Sequence, residues 1–162
     1  MELMPKVALS ATMEDYLKAI LTLEMLNKYV RVRDIAQKMN VRVPTVTSMM
    51  NTLAARNLVS HEKYEHVELT GEGKRIAREI LERHMTLRKF LVEMLRVDEK
   101  TAEADACEME HAVSTHTLAR LISFMEIIKN CSRRKGGNEE NTKEHAHDFV
   151  DCLEKMKRIK EY

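Results

Sequence analysis

Four glycines and two prolines are few for a chain of 162 residues, and there is no tryptophan. So few turn-formers leave little room for the repeated tight turns of a sandwich or barrel, and they point to a mostly helical protein. Aromatic residues make up 4% of the chain while methionine numbers 12, so the core must be filled by aliphatic and thioether side chains. Three cysteines, Cys107, Cys131 and Cys152, include no C-x-x-C pair. That argues against a disulfide framework and for a reducing compartment. Met1 to Pro5 opens no signal-peptide stretch, and no apolar run approaches a membrane span, so a cytoplasmic chain with no membrane partner is expected. A nucleophile elbow, a glycine-rich phosphate loop and an H-E-x-x-H motif are all missing. Neither an enzyme nor a small-molecule substrate is expected.

What is present is an uneven distribution of charge. The formal net charge is only +1, but Lys28 to Lys89 carries thirteen Lys and Arg against seven Asp and Glu. Leu95 to Glu126 carries three against seven. A basic front half followed by an acidic segment suits a polyanion-binding module joined to a cation-binding one.

Apolar periodicity places the elements. Ser10 or Thr12 can cap a first helix with Met13, Leu17, Ile20 and Leu21 on one face, running to about Asn27. Tyr29 to Val32 reads as short and extended. A short helix carrying Ile35, Ala36 and Met39 follows and stops at Asn40, a residue that tolerates the left-handed conformation. Val43-Pro44-Thr45 restarts the chain, with proline where a first helical turn accepts it, and Val46, Met50 and Leu53 repeat at i, i+4 and i+7. Leu58-Val59-Ser60 and Val67-Glu68-Leu69 flank a polar stretch and read as a two-stranded hairpin. Thr70 caps a long helix with Ile76, Ile80, Leu87 and Leu91 on one face and His84 beside them. Asp98 caps a helix to about Val113, and Ser114 caps another with Leu118, Leu121, Ile122, Met125 and Ile128. Ser132 to Thr142 reads as a linker. Lys143 to Tyr162 reads as an amphipathic helix with Phe149, Leu153 and Met156.

Two short helices joined by a tight turn and followed by a hairpin describe a winged helix-turn-helix. Its second helix would present Arg42, Pro44, Thr45, Thr47, Ser48 and Arg56 to a DNA major groove, where small polar groups and arginine reach base edges and phosphates. Lys63 and Tyr64 at the hairpin tip, with His61 and His66 near them, are further candidates for phosphate contacts. A solvated helix face would look similar, but the local excess of basic residues favours DNA.

Cys107, Glu110 and His111 fall at i, i+3 and i+4 and share one helix face. A thiolate, a carboxylate and an imidazole together can hold a divalent transition metal. A fourth ligand would come from elsewhere, with Asp15 or His84 as candidates. The competing reading is a half-buried core cysteine beside a solvated Glu110 and His111. His116, His145, His147, Cys131 and Cys152 read as surface or packing residues.

Several stretches together resemble the diphtheria-toxin-repressor and manganese-transport-regulator family of metal-dependent repressors. They are Thr12-Met13-Glu14-Asp15-Tyr16-Leu17, Asp34-Ile35-Ala36, Val43-Pro44-Thr45-Val46-Thr47, Leu69-Thr70-Gly71-Glu72-Gly73-Lys74, Arg83-His84 and Cys107-Glu108-Met109-Glu110-His111. The resemblance implies a primary metal site of Asp15, Cys107, Glu110 and His111, mixing the ligands of the iron-type and manganese-type members. It implies a second site drawing on His84 and on acids at positions that here hold Lys18 and Arg88, so that only His84 and Glu103 remain as second-tier ligands.

The expected architecture is a winged helix-turn-helix with a small β-hairpin wing over residues 1–75, then an all-helical metal-binding and dimerisation domain over 76–162. A linking helix spans about residues 70–94, in the short form without an SH3-like domain. The expected function is a homodimeric repressor that binds double-stranded operator DNA when loaded with Fe(II) or Mn(II), controlling metal-homeostasis genes. Zn(II), Co(II) or Ni(II) would also bind in vitro. Two other readings stay open: a metal-independent winged-helix regulator sensing a small ligand, or redox state through Cys107, and a metal-binding protein whose winged helix is a protein-interaction module.

Overall fold

The computed structural model describes residues 9–26, 29–61 and 66–133. Its elements in order are α1 (Ala11–Leu26), α2 (Val32–Met39), α3 (Val43–Ala55), β1 (Val59–His61), β2 (Val67–Leu69), α4 (Gly71–Lys89), a π-helical turn (Phe90–Met94), α5 (Glu99–Ala112) and α6 (Thr115–Arg133). This is an N-terminal winged helix-turn-helix followed by helices, as the sequence implies. The chain divides into two compact units, Met1–His84 and Met85–Tyr162, with the boundary inside α4.

In the first unit each helix boundary has a local cause. Ser10 is the cap of α1: the Met13 N–H donates to its Oγ at 3.3 Å. The Asp34 carboxylate accepts from the Arg31 N–H at 3.0 Å, which closes the first turn of α2. Asn40 ends α2 in the left-handed region at φ 53°. The Val41 N–H then returns to the Ala36 carbonyl at 3.0 Å, giving the tight turn between α2 and α3. The antiparallel hairpin pairs Val59 with Leu69, Ser60 with Glu68 and His61 with Val67. Val30 lies beside β2, its carbonyl accepting from the Val67 N–H at 2.8 Å. Thr70 caps α4, accepting from the Gly73 N–H at 3.0 Å. Gly73 itself is required, because a Cβ there would stand 2.0 Å from the Leu58 carbonyl oxygen.

Leu17, Ile20, Ile35, Val46, Met50, Leu53, Val67 and Ala77 join one buried cluster, drawn from α1, α2, α3, the hairpin and α4. Each large side chain there contributes about 1.5–3 kcal/mol by leaving water. The second unit has a smaller cluster, Leu87, Leu91, Ala102 and Ala106, flanked by Phe90, Val97, Met109, Leu118 and Leu121.

Some boundaries differ from the sequence reading. The long linking helix is α-helical only to Lys89 and then widens into the π turn, after which Arg96 takes φ 59°. Apolar periodicity does not distinguish these two helical forms over five residues. The expected linker from Ser132 begins too early, since α6 continues through Arg133. The rest of that linker, the helix expected over 143–162, and Lys63 and Tyr64 at the wing tip lie outside the described residues. No described helix is long and apolar enough to cross a membrane.

Candidate metal centre and nucleic-acid interface

The second unit builds its candidate metal site on α5. Asp98 starts the helix by accepting from the Thr101 N–H at 3.1 Å, and hydrogen bonds from the Thr101 hydroxyl and then from that N–H hold the Asp98 carboxyl below its ordinary range. Ala102 and Ala106 then face inward, fully buried, at i and i+4. The next position in that row is Glu110, whose exposure is 0%. A carboxylate so placed is costly unless it is neutralised or paired, because the interior cannot replace its hydration. Cys107, half-buried, presents its Sγ within 4.8 Å of a Glu110 carboxylate oxygen. His111 is also half-buried, with Nε2 3.5 Å from Glu110 Oε1. The Cys107 thiol lies beside the buried Glu110 carboxylate, and the His111 imidazole reaches that carboxylate without joining the mutually close ligand atoms; these are donor types a divalent transition ion takes. The residues therefore fit such an ion, and Glu110 is not the solvated glutamate of the competing reading.

The remaining candidate ligands are placed as follows. Asp15 is half-buried on α1, with Lys18 Nζ 4.0 Å from its Oδ1. His84 is buried on α4, 7% exposed. Glu103 is exposed on α5, and its carboxylate meets the Arg88 guanidinium at 3.1 Å.

The candidate DNA surface lies on α3. Val46, Met50 and Leu53 point into the core, so the remaining face looks outward. Arg42, Pro44, Thr45, Ser48 and Arg56 are exposed, and Thr47 is partly so, its hydroxyl donating to the Val43 carbonyl at 3.1 Å. Arg42 precedes the helix and Arg56 follows it. The 13 residues of α3 lie between them, so that they stand ~21 Å apart along the helix. They cannot serve one base pair and suit backbone phosphates at opposite ends of the contact.

Sequence reasoning passed over Glu24. Its Oε1 accepts from the Leu69 N–H at 2.8 Å, and its Oε2 lies 3.5 Å from Lys74 Nζ. One carboxylate from α1 thus fixes β2 and the start of α4. Nothing in the sequence marks a partner 45 residues away. The stack of Tyr29 on His66, with centroids 4.4 Å apart, is another contact of this kind, at the base of the wing.

Comparison with known proteins agrees with both halves of this geometry. The family profile "iron dependent repressor, N-terminal DNA binding domain" matches residues 8–67. The profile "iron dependent repressor, metal binding and dimerisation domain" matches residues 70–136. An uncharacterised HTH-type transcriptional regulator of Methanocaldococcus jannaschii is 39% identical over 123 residues, which cover 75% of this chain and 98% of that protein. The HTH-type transcriptional regulator MntR of Bacillus subtilis is 31% identical over 136 residues, covering 84% and 95%. A solved structure described as a manganese-dependent transcriptional repressor complex with manganese superposes with a TM-score of 0.63 at 32% identity. That match covers 68% of this chain and 51% of the other, so the chain spans about half the length of the solved structure. An exposed polar face on α3, a buried donor set on α5, and these matches across both units lead to one assignment: the chain belongs to the iron-dependent repressor family, the diphtheria-toxin-repressor and manganese-regulator group, whose members are metal-dependent transcriptional regulators and not enzymes.

Proposed function

We propose that this protein is a cytoplasmic repressor of metal-homeostasis genes that binds operator DNA as a homodimer when loaded with Fe(II) or Mn(II). Residues 1–75 read the DNA, and residues 76–162 hold the metal and dimerise through the helices between Asp98 and Ile128. The observation that carries the reading is the fully buried Glu110 beside Cys107, inside the region that matches the family's metal-binding domain.

The proposed site takes Cys107, Glu110 and His111 from α5, with Asp15 as the further ligand that the family resemblance implies. A bound divalent ion supplies the positive charge that offsets these carboxylates and the thiolate. Asp15 comes from α1, in the same unit as the DNA-binding surface, so its engagement would bias that unit toward the DNA-competent arrangement. A tenfold bias requires about 1.4 kcal/mol of differential binding, and DNA must then tighten metal binding by the same factor. Cys107 favours Fe(II) among these ions, whereas Asp15 and Glu110 suit Mn(II) equally well. The manganese-bound relative keeps Mn(II) close behind. On the DNA side, Thr45, Thr47 and Ser48 would face base edges, and Arg42, Arg56, Lys63 and Tyr64 the backbone.

The test is an anaerobic mobility shift of the apo protein on the promoter of its own gene, with Fe(II), Mn(II) or Zn(II) added separately and Asp15→Ala run alongside. Metal-dependent retardation, lost in Asp15→Ala, is expected. Equal binding with and without metal would overturn the switch and leave a metal-independent regulator.

A further inference from the structure

Arg88 lies one helical turn after His84 on α4, and its guanidinium is held by two carboxylates from α5. Its Nε stands 3.1 Å from Glu103 Oε2, and its Nη2 pairs with the Glu99 carboxylate. Glu99 and Glu103 are themselves one turn apart, so both reach toward the same point from one face of α5. Two carboxylates meeting there, with an imidazole one turn away along α4, are ligand types that would suit a divalent ion. The place is instead filled by a side-chain cation that cannot lose its proton. Among the described residues, Glu99 and Glu103 join no group of three close His, Cys, Asp or Glu ligand atoms.

We infer that each subunit holds a single divalent ion and that Arg88 is a permanent cation that closes a second position against metal. The first half of this statement rests on the metal reading proposed above; the second rests on the Arg88 ion pairs alone. The consequence is regulatory. The link from α4 to the first turns of α5 is made by a guanidinium at every metal concentration, so it does not wait for metal. Only the set around Cys107 and Glu110 responds to metal, and saturation follows a simple one-site curve for each subunit.

The experiment counts Mn(II) bound to the full-length protein by electron paramagnetic resonance, under anaerobic reducing conditions at saturating Mn(II). One ion per subunit is expected for the wild type. Two ions would overturn the inference while leaving the proposed metal switch standing. No bound ion would overturn the metal reading and with it the count of one. In Arg88→Glu the guanidinium becomes a third carboxylate beside Glu99 and Glu103. A second ion is expected there, bound at least tenfold more tightly than any second ion in the wild type, and retained in the double variant Arg88→Glu/Glu110→Gln. A count that stays at one in a folded Arg88→Glu protein would overturn the role given to Arg88. Should Arg88→Glu fail to fold, Arg88→Gln removes the cation without adding charge. A weak second ion is expected at saturating Mn(II), and its absence would overturn the role equally.

Discussion

α3 and α5 are helices of nearly equal length, 13 and 14 residues, and each carries a candidate functional set, yet the two sets lie on opposite sides of their helices. On α3 the inward row Val46, Met50 and Leu53 is wholly apolar, and the residues offered to DNA stand in water. On α5 the inward row Ala102, Ala106 and Glu110 ends in a carboxylate, and of the candidate ligands there Glu110 is buried while Cys107 and His111 are half-buried. The difference follows from the ligands. DNA is a large external polyanion whose groove must be met by side chains already exposed. A metal ion gains most from charged donors that water does not screen, and it can itself neutralise a carboxylate that would otherwise be costly to bury. Function therefore adds nothing to the folding cost of α3, whereas on α5 it replaces part of the core.

The sharpest way to break this comparison is Glu110→Gln. The amide fills the same volume without charge, so Mn(II) affinity should fall by more than about 100-fold, beyond what a supporting group would cost. The apo protein should melt no lower than wild type, because a buried charge has been removed. Isothermal titration and a thermal melt of the apo protein read the two effects separately. Retained metal affinity would sink the donor role of Glu110; a large drop in apo melting temperature would mean that the carboxylate serves the fold.

The corresponding change on α3 is Met50→Ala, at the centre of its inward row. Cavity formation there should cost about 2–5 kcal/mol of stability, as read by urea denaturation. Leu87→Ala in the second unit falls in the same class and removes as many heavy atoms, but it sits in a smaller cluster that includes two alanines, where fewer contacts are lost. A smaller destabilisation is expected, and the reverse order would show that the second cluster is the better packed.

Most of this architecture could be read from local signals. Asn40 ends α2, Ser10, Thr70, Asp98 and Ser114 cap helices, and Pro44 opens α3, because each acts on backbone groups within three or four residues of itself. The outward set on α3 was legible for the same reason: once Val46, Met50 and Leu53 are taken as inward, helix geometry alone places Thr45 and Ser48 outside. For Cys107, Glu110 and His111, spacing gave a shared face, but it could not say whether that face is wet or dry. Glu110 continues the row of the fully buried Ala102 and Ala106. Glu24 and Arg88 were invisible as partners, since their contacts close loops of 45 and 11 residues and carry no periodic signature. The π turn and Arg96 at positive φ were hidden too, because a π turn differs from α-helix by a shift in hydrogen-bond partner and not in which residues are apolar.

Substitutions on the exposed side of α3 sharpen the contrast from the other direction. Thr45→Ala should weaken binding to the operator by about 1–3 kcal/mol and relax preference at one base pair. Arg56→Ala should weaken specific and random duplex alike and lower the slope of log affinity against log salt by about 1. Neither should alter the Mn(II) titration of the free protein or its melting temperature, because both side chains lie in water. A loss of metal affinity in either variant would mean that α3 and the metal site are not separable surfaces.

The smallest effect concerns the start of α5, where the comparison turns on charge that stays exposed. Asp98 is hydrogen-bonded first by the Thr101 hydroxyl and then by the Thr101 N–H, and its carboxyl is held below the ordinary value of 3.8. The folded state thus prefers the ionised form. Its contribution is complete above the unfolded value and is lost as pH falls through the lower folded one. Asp98→Asn keeps a good cap but cannot titrate. Glu72, paired with Arg75, and Glu93, paired with Lys129, are shifted in the same direction, so the acid limb of the wild-type curve alone would not isolate Asp98. The difference between wild type and Asp98→Asn does. The wild type should melt higher at about pH 6, and the gap should close as pH falls through the lowered folded-state value, when the aspartate is protonated in both states. A gap that stays constant across that range would show that the hydrogen-bond geometry of the cap, and not its charge, supports the helix on which the metal ligands stand.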